Sequence, residues 1–428
     1  MPRILLLATT TGYQTRAFAE AAESLAVDLV FATDRCHQLD DPWRDHAVPI
    51  RFHDEDGSVA NILAAAAETP LDGVLAVGDR PTVIAAGVMR ALGLPGHPPE
   101  AAAAARNKRA TRDRFENAGL LVPKFALGDF SVDPKRLAAA IGFPSVVKPL
   151  ALSASRGVMR VNDETELVAA IYRLRALLSS PDIRAERDEV HDYFLVEEFV
   201  EGHEFAVEGV MNHGDLNVLA IFDKPDPLDG PFFEETIYVT PPVVPPETQR
   251  DMAHAVRQAA AALGLYHGPV HAECRVNPRG VYVLEVAARP IGGLCARTLR
   301  FVRRHEPSRP GISLEELLLR HALGNNITPW VREDRAAGVM MIPIPRRGIF
   351  RGVIGLDAAR AVPGVEDVRI TAKIDQRLLP LPEGASYLGF IFARGDRAGQ
   401  VDAALRRAHE RLEFDIVPEL RVLQSVHG

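Results

Sequence analysis

The stretch His271–Gly293, HAECRVNPRGVYVLEVAARPIGG, sets two carboxylates, Glu273 and Glu285, on either side of an Asn-Pro-Arg-Gly turn signal, with Arg289 shortly after. The valine-rich runs flanking the turn read as the two strands of a β-hairpin. Acidic residues inside such strands are expensive to bury unless something compensates their charge. Side chains alternate faces with a period of two, so the register decides whether the carboxylates meet. If Val276 pairs with Val281, the two glutamates point to opposite faces. If Val276 pairs with Tyr282 across a five-residue loop, Glu273 sits opposite Glu285, and Ala287 and Arg289 continue that face. Directly opposed carboxylates repel unless a cation lies between them. A few hard oxygen ligands on rigid strands suit Mg²⁺ held jointly with a substrate phosphate. The plain alternative is an exposed hairpin face whose charges are merely solvated.

At 428 residues and 47% hydrophobic content the chain is long enough for two or three globular domains with their own cores. Its 49 Lys+Arg against 57 Asp+Glu leave a formal charge of -8, which argues against nucleic acid or an anionic membrane as partner and for small molecules. The three cysteines, Cys36, Cys274 and Cys295, form no C-x-x-C pair, so neither a disulfide framework nor a thiolate zinc site is supported. Cys274 and Cys295 read as small buried apolar residues. No apolar run approaches the roughly 18 residues of a membrane span, and no cleavage site follows ILLLATT. The expectation is a cytoplasmic enzyme, with a homodimer as the common arrangement.

The chain opens as βαβ: RILLLA is a strand buried on both faces, TTTGYQ a loop, TRAFAEAAESLA a helix and VDLVFAT a second strand. LDGVLAVG and RPTVIAAGVMRALGL repeat the pattern, giving a small parallel α/β domain over residues 1–104. It lacks a Gly-x-Gly-x-x-Gly fingerprint. LPGHPPEAAAAA marks a boundary or tight linker. Beyond it come one helix (RNKRATRDRFENAGL), strands at PSVVKPL and GVMRVN, a helix with Leu167, Ile171, Leu174 and Leu178 on one face, and the strand YFLVEEFV. Residues 204–290 read as antiparallel strands, interrupted by the long irregular segment DPLDGPFFEETIYVTPPVVPPE. Strands and a helix after residue 335 suggest a third, smaller α+β domain over 336–428.

Three further constellations precede the hairpin. Lys148 ends an apolar strand and is followed by the small, hydroxyl-rich loop LSASRG, whose backbone N–H groups and hydroxyls can wrap phosphate oxygens. The strand YFLVEEFV leads through Glu197, Glu198, Phe199 and Val200 into a Gly turn with Glu204 beyond; a strand stopping there frees backbone groups for an adenine ring and a carboxylate for ribose hydroxyls. Lys108 and Arg112 lie four apart on a helix, which by themselves read as a solvated basic face.

In this order the four pieces resemble the ATP-grasp superfamily over residues 1 to about 335, and an α/β domain before the grasp region agrees with that resemblance. The resemblance implies an N-terminal α/β domain, an ATP-grasp domain over 105–335 with a nucleotide-clamping lobe near 122–200, and ATP and Mg²⁺ as cofactors. Lys108 and Lys148 would contact ATP phosphates under a mobile loop that includes Ser153, Ser155 and Gly157. Glu197, Glu198, Phe199 and Val200 would line the adenine hinge, with Glu204 on the ribose. Glu273 and Glu285 would hold Mg²⁺. Arg289, with Gly292 and Gly293, would sit where an acyl phosphate and tetrahedral intermediate form, so Arg289 and Lys148 are the catalytic candidates.

Many family members read Glu-x-Asn-Pro-Arg where this chain reads Glu285-Val286-Ala287-Ala288-Arg289, so a second metal ion would lack its Asn ligand. EVAARPIGG and FFEETIYVTPP are similar to the L-amino-acid ligases, which join a carboxylate to an amine. In that group a glutamate of the second segment places the amino substrate; Glu235 is the first candidate and Glu234 the reserve. Lys224 could reach a phosphate or a substrate carboxylate, although a surface lysine is the simpler reading. The tail from GVIGLDAARAV to DAALRRA resembles the C-terminal domain of these ligases and of carboxylase-type relatives. The implied reaction is amide formation through an acyl phosphate. A biotin-carboxylase-like or purine-pathway ligase, and a nucleotide-binding module without chemistry, are the alternatives.

Overall fold

The computed structural model of the chain describes residues 1–9, 14–34, 47–306 and 310–419. Cys36 and the middle of TTTGYQ lie outside them.

The chain begins with β1 (Arg3–Leu7), α1 (Thr15–Leu25), β2 (Asp28–Thr33), β3 (Val48–Pro49), α2 (Glu55–Glu68), β4 (Gly73–Ala76) and α3 (Thr82–Leu92). The strands form a parallel sheet in the order β3-β2-β1-β4, as the continuous apolar runs predict. The alanine-rich segment expected as a linker is instead α4 (Pro99–Arg106), begun by a proline at its first position, where the missing N–H costs nothing. The helix expected next is α5 (Lys108–Asn117), started by Asn107, whose side chain accepts from the N–H groups of Arg109 and Ala110.

The segment expected as the clamping lobe comprises β5 (Phe125–Asp129), α6 (Pro134–Ile141), β6 (Ser145–Pro149), β7 (Met159–Val161), α7 (Glu164–Leu178), α8 (Pro181–Arg184) and β8 (Tyr193–Glu198). Its strands are antiparallel in the order β5-β8-β6-β7. Leu167, Ile171, Leu174 and Leu178 are all buried in this lobe's core, as their spacing requires. Each such side chain contributes roughly 1.5–3 kcal/mol relative to exposure.

Then follow β9 (His203–Asn212), β10 (Asp215–Asp223), β11 (Ile237–Thr240), α9 (Pro246–Leu263), β12 (Gly268–Asn277) and β13 (Gly280–Ala287). The antiparallel reading of 204–290 holds for the strands and fails at α9. That helix has its own signals: Pro246 in its first turn, Gly264 closing it in the left-handed region at φ 77°, and Met252, Val256, Ala260 and Leu263 buried along one side. The long segment before it, expected to be irregular, contains β11, because Ile237, Tyr238 and Val239 are buried β-formers.

The remaining elements are β14 (Arg300–Arg303), β15 (Ile312–Ser313), α10 (Leu314–Ala322), β16 (Trp330–Arg332), β17 (Ala336–Ile342), β18 (Gly348–Ile354), α11 (Leu356–Arg360), β19 (Val365–Ile370), β20 (Arg377–Leu378), β21 (Gly389–Gly395), α12 (Ala398–His409) and β22 (Glu413–Val417). The C-terminal strands divide: β18, β20 and β22 form a three-stranded sheet of their own, whereas β17, β19 and β21 join the large one. One eight-stranded sheet runs β13-β12-β9-β10-β11-β17-β21-β19, with the β11–β17 pairing joining the two regions.

Candidate active site

The hairpin resolves its register in a way neither alternative anticipates. Asn277 pairs with Gly280 and Val276 with Val281, the tight-turn register that by alternation would separate the glutamates. A β-bulge between Glu273 and Cys274 corrects this: Cys274 pairs with Val283, Leu284 is the extra residue, and Glu273 stands opposite Glu285. The carbonyl oxygen of Leu284 accepts from Arg112 Nη1 at 2.9 Å, so a buried arginine sits on the extra residue.

Both glutamates line a cavity of about 450 Å³ between the N-terminal domain, the β5–β8 lobe and the large sheet. Lys108, Lys148, Ser153, Ser155, Glu197, Glu198, Phe199, Val200, Glu204, Glu235, Arg289, Gly292 and Gly293 line it too. Gly157 does not; its N–H donates to the carbonyl of Pro382 at 2.8 Å. Glu235 faces the cavity, whereas the reserve Glu234 is engaged with the backbone of Ile344.

Lys108 and Arg112 are not a solvated basic face. Arg112 is fully buried and pairs with Glu197 at 2.7 Å, and Glu197 also binds Lys148. Burial lowers the Lys148 pKa to about 8, with the Glu197 charge opposing the fall. Burial also disfavours the Glu197 carboxylate, but Arg112 and Lys148 outweigh it and hold that carboxyl below its ordinary value. The Glu197 carboxylate, expected at the adenine hinge, is thus turned onto the two cations. Lys108 Nζ reaches Glu285 at 3.2 Å and the Leu152 carbonyl at 2.9 Å, linking the metal-type carboxylate to the loop above it. Where the adenine hinge was expected, the Phe199 ring has the Arg160 guanidinium over it at 4.3 Å and that of Arg275 at 5.0 Å.

Lys224 is buried, contrary to the surface reading. Its Nζ donates to Glu204 at 2.8 Å, Glu235 at 2.6 Å and Glu273 at 3.1 Å. Burial would lower its pKa, but the three carboxylates raise it well above the ordinary lysine value. The Glu204 carboxylate, expected on the ribose, holds Lys224 with one oxygen and Arg275 with the other, at 2.8 Å each. Burial and the neighbouring Glu273 push Glu235 up to about 7, while Lys224 is the leading influence that keeps Glu273 ionised against its burial. Oxygens of Glu204, Glu235 and Glu273 lie within 4.8 Å of one another, so the ammonium sits where a metal ion could. Hard carboxylate donors at Glu273 and Glu285, facing a cavity lined by Lys108 and Lys148, fit Mg²⁺ bound together with a polyphosphate.

Arg289 is held from the N-terminal domain. Its Nε and Nη2 donate to the two oxygens of Asp79 at 2.8 and 3.2 Å, a bidentate pair that aims the guanidinium. Burial opposes ionisation of Asp79, but Arg289 keeps its pKa below the ordinary value. Sequence reasoning missed Asp79, although VGDRP places an acid just past the carboxyl end of the parallel strand β4, where α/β domains carry their sites. It also missed Glu208, whose oxygens accept from the Ile291 N–H and bind His271 Nδ1, both at 3.1 Å. His271 in turn lies 3.8 Å from Glu273, and its pKa rises to about 9 despite burial because of the Glu208 and Glu273 bonds. Cys274 and Cys295 are buried, with burial raising both thiols and Cys274 reaching about 12, so they act as apolar residues.

Three family models fall on the chain in succession: an ATP-grasp N-terminal domain over residues 19–96, an ATP-grasp domain over 141–298 and an L-amino acid ligase C-terminal domain 2 over 340–417. The chain belongs to the ATP-grasp superfamily. The crystal structure of L-amino acid ligase from Bacillus licheniformis superposes on this ATP-grasp chain with a TM-score of 0.81 at 27% identity, covering 97% of this chain and 99% of that one. Alanine–anticapsin ligase of Bacillus subtilis (strain 168) is 30% identical over 215 residues, 47% of this chain and 44% of its own length. Phosphoribosylglycinamide synthetase from Anaerococcus prevotii shares the fold, with a TM-score of 0.66 at 16% identity over 97% of this chain and 100% of that one. The chain spans 65% and 44% of the length of the first curated relatives it matches. Among the described residues no helix is long and apolar enough to cross a membrane.

Proposed function

We propose that this ATP-grasp protein is a carboxylate–amine ligase that joins amino-acid substrates through an acyl phosphate, releasing ADP and phosphate. The observation that carries the reading is the bulged hairpin, which sets Glu273 against Glu285 in one cavity with Lys108, Lys148 and Arg289. The L-amino acid ligase type of C-terminal domain supports the substrate class.

In the first half-reaction a substrate carboxylate oxygen attacks the γ-phosphorus of ATP, the bond to the bridging oxygen breaks, and ADP leaves. Such a transfer needs positioning and charge neutralisation more than covalent help. Lys148, kept charged by Glu197, and Lys108 supply fixed positive charge, while Ser153 and Ser155 offer hydroxyls over the phosphates. Mg²⁺ held by Glu273 and Glu285 would add Lewis-acid charge neutralisation at the phosphates. In the second half-reaction the amine attacks the acyl carbon, the carbon–oxygen bond to the phosphate breaks, and the departing phosphate takes the proton that the amine loses. Arg289, aimed by Asp79, stabilises the oxyanion; a donor of this kind is worth roughly 3–4 kcal/mol. Glu235, locked by Lys224, presents its carboxylate to the incoming amine.

The test is phosphate release by the purified protein with Mg-ATP and single or paired amino acids, with mass analysis of the product. Release that needs two amino acids and yields their condensed mass supports the ligase. Release with bicarbonate alone moves the protein to the carboxylase branch, and ATP binding without any substrate-dependent hydrolysis reduces it to a binding module.

A further inference from the structure

The loop over the phosphate side of the cavity is fastened to the C-terminal domain. Besides the Gly157 bond to Pro382, Arg156 Nε donates to the carbonyl of Glu383 at 2.9 Å. The Glu383 carboxylate accepts two hydrogen bonds from Arg173 of α7, at 2.5 and 2.9 Å. Gly157 has φ +77°, and a Cβ there would come within 3.0 Å of Leu174 and 3.1 Å of Leu177, so the loop seats its backbone directly on α7.

A third segment meets the same arginine. The Arg173 guanidinium lies 5.0 Å from the centre of the Phe232 ring, and Phe232 forms a bridge with Met159 of β7. Arg160 donates its N–H to Pro231 and its Nη1 to Asp229, at 2.9 and 2.7 Å. This is the loop that carries Glu235. The substrate loop and the 380–384 strap therefore meet at Arg173, the lid is bonded to that strap and rests beside Leu174, and Arg173 and Glu383 stay outside the cavity lining.

We propose that the Arg173–Glu383 pair is a latch through which the C-terminal domain holds the phosphate lid shut and ties its closure to the loop carrying Glu235. Both are positioning residues. The consequence for chemistry rests on the ligase reading. When the lid opens early, water adds to the acyl carbon of the acyl phosphate, the carbon–oxygen bond to phosphorus's oxygen breaks, and the original carboxylic acid and phosphate are released. The net result is ATP hydrolysis without amide, which a closed lid suppresses.

The test uses the full chain with Arg173→Gln, Glu383→Gln and the charge-swapped double variant Arg173→Glu/Glu383→Arg. Two quantities are read: hydrogen–deuterium exchange of peptides spanning residues 152–160 without nucleotide, and phosphate released per amide formed. The pair is partly exposed but doubly bonded, so each single variant should raise both by about threefold to fivefold. The swap should return both toward wild type. Unchanged exchange in the single variants, or a swap that restores nothing, overturns the latch. So does slower turnover with an unaltered phosphate-to-amide ratio, the signature of a merely structural pair. A wild-type protein that forms no amide counts against the ligase reading, while the exchange pattern still decides the latch.

Discussion

Glu197→Gln is the most informative single change because it keeps the shape of the side chain and removes one charge from between two buried cations. Arg112 is fully buried and cannot turn to water when the carboxylate is gone, and Lys148 keeps only its narrow face on the cavity. Breaking a buried ion pair by neutralising one partner costs about 3–5 kcal/mol, because the remaining charge stays desolvated. At about 2–4 °C per kcal/mol the melting transition should fall by roughly 6–20 °C. A second effect separates this from a general packing defect. Lys148 has a folded pKa of about 8 against the ordinary 10.5, so between those values the folded protein holds fewer protons than the unfolded chain. Its contribution to stability therefore rises with pH through that window. Without Glu197 the folded pKa drops further and the window extends below pH 8. The alkaline limb of kcat/KM for ATP should then move down by at least about one pH unit, equivalent to about 1.4 kcal/mol. The assays are thermal unfolding and initial rates of ADP formation between pH 6 and 9.5. An unchanged melting point together with an alkaline limb at its wild-type position would refute the argument that Glu197 keeps Lys148 charged.

Three further outcomes are expected. Glu285→Gln should lower turnover by at least about 100-fold with little loss of fold, because it removes an oxygen ligand facing Glu273; near-wild-type rates would take Glu285 out of the metal site. Lys224→Met should melt lower and regain more stability from Mg²⁺ than wild type does, since a divalent ion can replace the ammonium among Glu204, Glu235 and Glu273; saturation at 100 times Kd returns about 2.7 kcal/mol, and an equal response in both proteins would refute the replacement. His97 sits buried between the Tyr266 N–H and the Pro269 carbonyl, near the stacked rings of His267 and His321, and burial lowers its pKa from 6.5 to about 4. A depressed histidine pKa leaves stability intact above 6.5 and removes it as the pH falls toward 4, so denaturant unfolding at pH 5 should show a loss of about 2 kcal/mol from this residue relative to pH 7, a difference that His97→Gln should shrink.

The parallel start of the chain was legible because strands buried on both faces must be continuously apolar, and β1 and β4 are. The helix α7 was legible because its leucines recur on one face. The candidate site was legible as types of residue in an order: Lys108, Lys148, the small loop, the acidic strand end, and Glu273 and Glu285 with Arg289. Helix α9 was legible too and was passed over among strand signals.

Other features depended on partners distant in sequence. Whether Glu273 meets Glu285 turned on one bulged residue, Leu284, whose carbonyl is bound by Arg112, 172 positions away. Arg112 looked like a surface cation because nothing local shows that Glu197 will neutralise it, and Lys224 looked exposed because its three carboxylates arrive from β9, β12 and the loop before β11. The aim of Arg289 came from Asp79, 210 positions earlier and in another domain. Periodicity reports which face of an element avoids water, a property of neighbouring residues along the chain. The partner of a buried charge is set by how separate elements pack, and no local pattern carries that information.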